Sequence, residues 1–163
     1  MNERSNFKRG RVSWILNGLV FLSALNSAFF FLAVMKTGIV GWLMMNVCAP
    51  SIFILLVGFI LRNPVVMTIG TCWMVRYGTA GLFVFGWTGP NLIAQVGHVL
   101  MTLASAWTVF EMVRQKKWRG MAVGAALGIA TLLPFMMLQN SWFADHPGLL
   151  EKLFSGVYPT GLK

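Results

Sequence analysis

The chain has 163 residues, 57% of them hydrophobic and 10% charged, and a formal net charge of +9. Soluble domains carry about 25% charged residues, so this composition excludes an ordinary water-soluble globule, whose core could not hide so much apolar side chain.

Five stretches are long and apolar enough for a helix of about 20 residues across a hydrocarbon layer of about 30 Å. The first covers residues 12–35, behind the basic start "MNERSNFKRGR". Its apolar part is about twice as long as the core of a cleaved signal peptide, so it reads as a retained signal-anchor helix. The second covers residues 39–61. The third covers residues 64–87 and carries Arg76 in the middle of "TCWMVRYGTAG". The fourth covers residues 90–113, with Thr88 suited to the N-cap and Pro90 to the first turn. The fifth covers residues 120–139. The remaining residues, 140–163, are too polar to span and form an external tail, in which "HPGLLEKLF" suits a short interfacial helix. The runs are continuous and lack two-residue alternation, so helices rather than a membrane β-barrel are expected. The expected fold class is an all-α integral membrane protein, a five-transmembrane-helix bundle forming one membrane domain over residues 1–163.

Lysine and arginine in short loops set orientation. Arg4, Lys8, Arg9, Arg11, Arg62, Arg114, Lys116, Lys117 and Arg119 fall on one side, and Lys36, Lys152 and Lys163 on the other. The N-terminus is therefore expected in the cytoplasm and the C-terminus outside, in the plasma membrane of a bacterial or archaeal cell. Topology and anionic lipid headgroups account for the positive charge, and no nucleic-acid partner is implied.

Counted inwards from the external ends, Asn26, Asn46, Arg76, His98 and Thr131 fall in one slab, roughly 10 to 16 Å deep at about 1.5 Å per residue. Pro50 and Pro134 remove helical bonds to the carbonyls of Asn46 and Ala130, which would add two free acceptors to the slab. On the fourth helix Asn91, Gln95, His98, Thr102 and Ser105 recur at steps of four, three, four and three, a single stripe that must face the bundle or a cavity. Arg76 has no acidic partner in the spans, since Glu111 lies at the far end of the fourth helix. Trp73, three residues before it, shares its face and suits a cation–π contact.

The candidate ligand-binding residues are thus Arg76, His98, Gln95, Asn91, Asn46, Asn26, Thr131 and Trp73, with no catalytic or metal-binding residue. His146, in the tail, is badly placed to pair with His98 on a haem, and no His, Asp, Glu and Cys cluster has metal-ligand spacing. A quinone-type or proton-relay role for His98 stays open, and no particular cofactor is indicated. Cys48 and Cys72 lack a CxxC pattern and read as packing residues. Soluble-enzyme signatures such as a P-loop, HExxH or GxSxG are absent, so an enzyme is not expected. Gly120, Gly124 and Gly128 form a doubled GxxxG that suits close helix contact, within the chain or in a homo- or hetero-oligomer. Two functions follow. One is a small membrane binding or transport module whose polar pocket takes a small anionic or carbonyl-bearing ligand. The other is a non-catalytic subunit of a larger membrane complex, a quinone- or haem-linked redox assembly being one version.

Overall fold

A computed structural model describes residues 7–89 and 91–149. Every regular element among them is helical: α1 (Arg11–Phe29), α2 (Gly38–Met45), α3 (Cys48–Ile60), α4 (Pro64–Met74), α5 (Ala80–Val84), α6 (Asn91–Arg114) and α7 (Trp118–Ala144). One wide π-helical turn, Phe30–Val34, prolongs α1, and another, Val75–Thr79, joins α4 to α5. Three helical runs are long and apolar enough to cross a membrane: Arg11–Val34, Asn91–Arg114 and Trp118–Ala144. The continuous run from Pro64 to Val84 is not among them, because Arg76 and the threonines at 68, 71 and 79 lower its hydropathy.

The stretch expected as a single helix over residues 39–61 is two, α2 and α3, bent by 85°. The break falls at Asn46, whose backbone leaves the helical region at φ −130° and ψ 68°. Pro50 therefore does not kink a helix from inside. It lies in the first turn of α3, where a missing N–H costs nothing, and the carbonyl expected to be freed, that of Asn46, accepts from the Ala49 N–H at 3.3 Å. Pro134 does lie inside α7, which runs through it unbroken to Ala144. Residues 140–144 are thus helix rather than tail. Pro90 and the tail from residue 150 onwards lie outside the described residues, and with them the expected first-turn proline of α6 and most of the interfacial helix.

Short signals in the sequence explain the turns. At "LRNP" the N–H of Arg62 bonds Phe59 O at 3.3 Å and that of Asn63 bonds Gly58 O at 2.9 Å, a Schellman close with Arg62 left-handed at φ 53°. Asn63 then starts the next helix: its side chain accepts from the N–H groups of Val65 and Val66, with Pro64 in the first position. The end of α6 closes the same way, with Lys116 left-handed at φ 56°. Both left-handed positions carry a cation, which suits the negative end of a helix.

Contacts fix the register. The Trp14 and Phe59 rings meet at 4.9 Å and Phe21 and Phe53 at 6.4 Å, so α1 and α3 run antiparallel. Trp107 Nε1 donates to Ser13 Oγ at 3.0 Å, setting α6 antiparallel to α1. Glycines bring α3 and α4 together: a Cβ on Gly70 would lie 2.7 Å from Cα of Leu55. On α7, Gly120, Gly124 and Gly128 lie against Pro64, Thr68 and Cys72 in turn, so α7 runs parallel to α4. The glycine face considered for a partner chain is therefore occupied by this chain's own α4. In its most apolar window α7 is only 11% buried against 39% for α6, so α7 is peripheral.

Replacing Gly70 by Val should lower stability by about 1–3 kcal/mol or block folding, because no flexible side chain can yield to the new atoms. At Gly18, where nothing lies within 4 Å, alanine should leave stability unchanged or raise it by up to about 1 kcal/mol. Unfolding midpoints of the two variants in detergent check both statements.

Candidate functional site

The polar stripe on α6 faces inwards: Asn91, Gln95, His98 and Ser105 are all buried. Gln95 is buried completely because it closes a helix end. After Val84 the chain turns extended at Phe85 (ψ 143°), leaving carbonyls that helical bonding no longer satisfies. Gln95 Nε2 donates to Phe85 O at 2.6 Å and to Leu82 O at 3.4 Å. Backbone carbonyls only accept, so the amide nitrogen must face them and the amide oxygen must face away. That oxygen lies 3.0 Å from His98 Nδ1. The proton of the imidazole consequently sits on Nδ1, and Nε2 presents its lone pair.

Gly81 and Phe85, four residues apart, hold the imidazole in place. Phe85 stacks on it with centroids at 5.4 Å and planes at 26°. A Cβ on Gly81 would stand 2.5 Å from His98 Cε1, so this glycine is what admits the ring. His98 Nε2 faces Cys48 Sγ at 3.7 Å. Cys48 opens α3 on the far side of the break, and its S–H is a weak donor to Nε2.

His98 and Cys48 form part of the wall of a cavity of about 340 Å³ between α1, the α2–α3 break and α6. Ser23, Asn26, Ser27 and Asn46 supply the rest of its polar wall, and Phe29, Phe31, Ile52, Phe85, Ile93 and Met101 much of its apolar wall. Ser27 Oγ accepts from Trp42 Nε1 at 3.2 Å and from Asn46 Nδ2. Among the described residues Asn46 Oδ1 is buried with no hydrogen-bond partner. The wall therefore offers two acceptors in want of a good donor, His98 Nε2 and Asn46 Oδ1.

Of the residues expected to act together, Asn26, Asn46 and His98 line this cavity, and Gln95 orients His98 from behind. Asn91 is buried at the start of the same stripe. Arg76, Trp73 and Thr131 lie elsewhere. Trp73 Nε1 donates to Thr131 Oγ1 at 3.2 Å across the α4–α7 seam, so it is not the ring beneath Arg76. The guanidinium instead lies 5.4 Å from the Tyr77 ring. Arg76 is exposed and, among the described residues, meets no carboxylate or hydrogen-bond acceptor. The π-turn explains the split: it presents Gly78 and Gly81 to Met101 and His98 of α6 while Arg76 stays outside.

Sequence reasoning missed Ser23, Ser27, Phe85 and Gln139, and read Cys48 only as packing. Gln139 of α7 accepts from Tyr77 OH at 3.1 Å and donates to Met44 O at 2.7 Å, which closes the carbonyl end of α2. The signal available in advance was the amide pair Gln139–Asn140 at the end of an apolar run. Cys72 faces Gly128 of α7, so the two cysteines serve different contacts. Among the described residues no group of His, Cys, Asp and Glu could hold a metal ion. No protein-family model, curated protein or solved structure matches this chain.

Exchanging Gln95 for Leu removes the buried acceptor of His98 Nδ1, which should cost about 1–3 kcal/mol. Thermal unfolding of the Gln95→Leu protein in detergent reads this loss; a midpoint equal to that of the unaltered protein would remove Gln95 from its role as that acceptor.

Proposed function

We propose that this chain is a small multi-pass membrane binding or transport module whose cavity holds a small amphipathic molecule with a hydrogen-bond-donating head, a hydroxyl or an amine. Its five spans are the α1 run, the bent α2–α3 pair, the Pro64–Val84 run, α6 and α7. The N-terminus is cytoplasmic and the C-terminus external. The charge distribution supports this orientation, because Lys8, Arg9, Arg11, Arg62, Arg114, Lys116, Lys117 and Arg119 gather at one end of the bundle and Lys36 stands at the other.

The observation that carries the reading is the outward-facing lone pair of His98 beside the α2–α3 break. In hydrocarbon, non-helical backbone persists only where protein covers it or where it lines a cavity, and discontinuous helices in transporters form substrate sites. A hydroxyl or amine is a stronger donor to Nε2 than the Cys48 thiol, and Asn46 Oδ1 awaits a donor as well. That head differs from the anionic or carbonyl-bearing group expected from the sequence, for which Arg76 and His98 were to share one pocket. The phenylalanines, Ile52 and Met101 of the wall suit an apolar body.

A second reading rests on Arg76. An unpaired arginine at mid-helix in a bilayer costs about 2.5–3.5 kcal/mol even on the mildest scale, and a carboxylate on a partner chain's helix would compensate it. The protein would then be a non-catalytic subunit of a larger membrane complex.

Native mass spectrometry of protein extracted in mild detergent separates the two. The first reading expects one bound small molecule bearing a hydroxyl or amine. It should be lost in His98→Phe and in Ile52→Trp, which fills the cavity, and kept in Arg76→Gln. An empty wild-type protein that co-purifies with another chain, and loses it in Arg76→Gln, would sink the first reading in favour of the second.

A further inference from the structure

At the end of the bundle opposite the cavity, the chain before α1 is tied down as a strap. Phe7 is buried in the core cluster. The main chain of Lys8 makes a reciprocal pair of bonds with the Gln115 side chain: its N–H donates to Gln115 Oε1 at 2.8 Å, and its carbonyl accepts from Gln115 Nε2 at 2.9 Å. Such a pair resembles one rung of a sheet and fixes both position and direction of the strap. It brings Lys8 and Arg9 opposite the α3–α4 turn, where the Schellman close holds Arg62 left-handed. Between strap and turn lies a cleft of about 400 Å³ lined by Phe7, Lys8, Arg9, Trp14 and Arg62.

Among the described residues, the lining of this cleft has three cations and no acid. Arg9 is fixed by two aromatic rings, its Cζ 4.8 Å from the Trp14 ring and 5.4 Å from the Phe59 ring. Cation–π stacking engages the flat face of a guanidinium and leaves the N–H donors at its edge free for an oxyanion. Among the described residues none of the three cations meets a carboxylate; the ion pair there is Arg114 with Glu111, at 3.9 Å. Among the described residues Glu111 is the one acid near this end of α6, and it does not line the cleft. It is buried, and its Oε2 accepts from Gln115 Nε2 at 3.0 Å. A buried anchor, a pinned strap and a capped turn bring the backbone of these three cations around one cleft.

We infer that the cleft formed by Lys8, Arg9, Trp14 and Arg62 is a binding site for a phosphate-bearing anion. Two arginines offer paired donors to tetrahedral oxyanion edges, and the lysine adds a point charge. The same chemistry is presented by a phospholipid headgroup and by phosphate in solution, and the site requires only the phosphate. This site is independent of the cavity, shares none of its residues and stands whatever the cavity holds.

The test uses the full chain with two probes, phosphatidylglycerol in nanodiscs otherwise made of phosphatidylcholine, and inorganic phosphate added to lipid-stripped protein in detergent. Saturable binding of one of them is expected, weakened about tenfold or more in Arg9→Gln/Arg62→Gln through loss of charge-assisted bonds. Lys117→Gln/Arg119→Gln, which removes two cations of the same end outside the cleft, should bind as the unaltered protein does. Arg9→Lys/Arg62→Lys should fall between, because charge remains while the forks are lost. If the Arg9 variants unfold, Lys8→Gln/Arg62→Gln carries the test, as its exposed side chains anchor nothing. Binding of phosphatidylglycerol without phosphate assigns the lipid headgroup, and binding of phosphate assigns the soluble anion. The inference is overturned if neither probe saturates, or if removing Lys117 and Arg119 weakens binding as much as removing the cleft arginines.

Discussion

A helix that ends inside a packed apolar bundle exposes carbonyl groups that no water can reach, and each must find a donor. Among the described residues α2 ends in this way, closed by Gln139 through Met44 O; at the end of α5, where Phe83, Val84 and Trp87 are exposed, Gln95 meets Phe85 O and Leu82 O and Trp87 Nε1 also donates to Leu82 O. A buried acceptor left unpaired costs about 1–3 kcal/mol, so the Gln139 amide is a condition of the fold. Each of the two amides then has an oxygen to spare, and the rest of the interior is built on where it points. The oxygen of Gln139 takes the Tyr77 hydroxyl and ties α7 to the π-turn. The oxygen of Gln95 takes the Nδ1 proton of His98 and so determines which face of the imidazole the cavity meets.

The same economy appears in the glycines. Gly58 and Gly70 let α3 and α4 pack backbone to backbone, Gly120, Gly124 and Gly128 seat α7 on Pro64, Thr68 and Cys72 of α4, and Gly78 and Gly81 admit α6. Close approach without side chains is the usual way for helices to associate where apolar burial drives nothing, as in lipid. Its consequence is that the chain satisfies most of its small-residue faces internally. The outward surfaces of α1 and α7 are left with large apolar side chains such as Leu22, Phe29, Leu133 and Met137. They suit contact with acyl chains, and they isolate Arg76 as an exposed cation in an apolar setting.

The two ends of the bundle differ in kind. The end with the N-termini of α1, α4 and α7 is basic, closed by Schellman turns and by a strap hydrogen-bonded to Gln115. The opposite half carries the broken helix, the π-turns and the cavity. Irregular backbone is concentrated where polar groups line a space and is absent from the spans near the basic end. That distribution is what physical accounting demands, since a broken helix persists only where something meets its free groups.

Much of this was legible in the chain itself. Hydrophobic runs of membrane length, the Asn63–Pro64 helix start, the basic residues of one set of loops and the inward stripe of α6 are local patterns, and local patterns are set by residue type and spacing alone. The glycine spacing of α7 likewise announced a close contact, though not that α4 of the same chain would fill it. What spacing could not convey was direction. Counting residues placed Arg76 and Thr131 at the depth of His98 and so suggested one polar layer. Depth along a helix says nothing of azimuth once a π-turn shifts the register, and the tertiary structure puts Arg76 outside and His98 within. The break at Asn46 escaped for a related reason: Pro50 is as compatible with the first turn of a new helix as with a kink in an old one. In the folded chain Asn46 bonds Ser27, nineteen positions away, a partner that local pattern cannot name. Composition and periodicity thus determined that the protein is helical and apolar enough to cross a membrane. Which polar groups share a cavity was decided by contacts between distant segments, because only those set the rotation of one helix against the next.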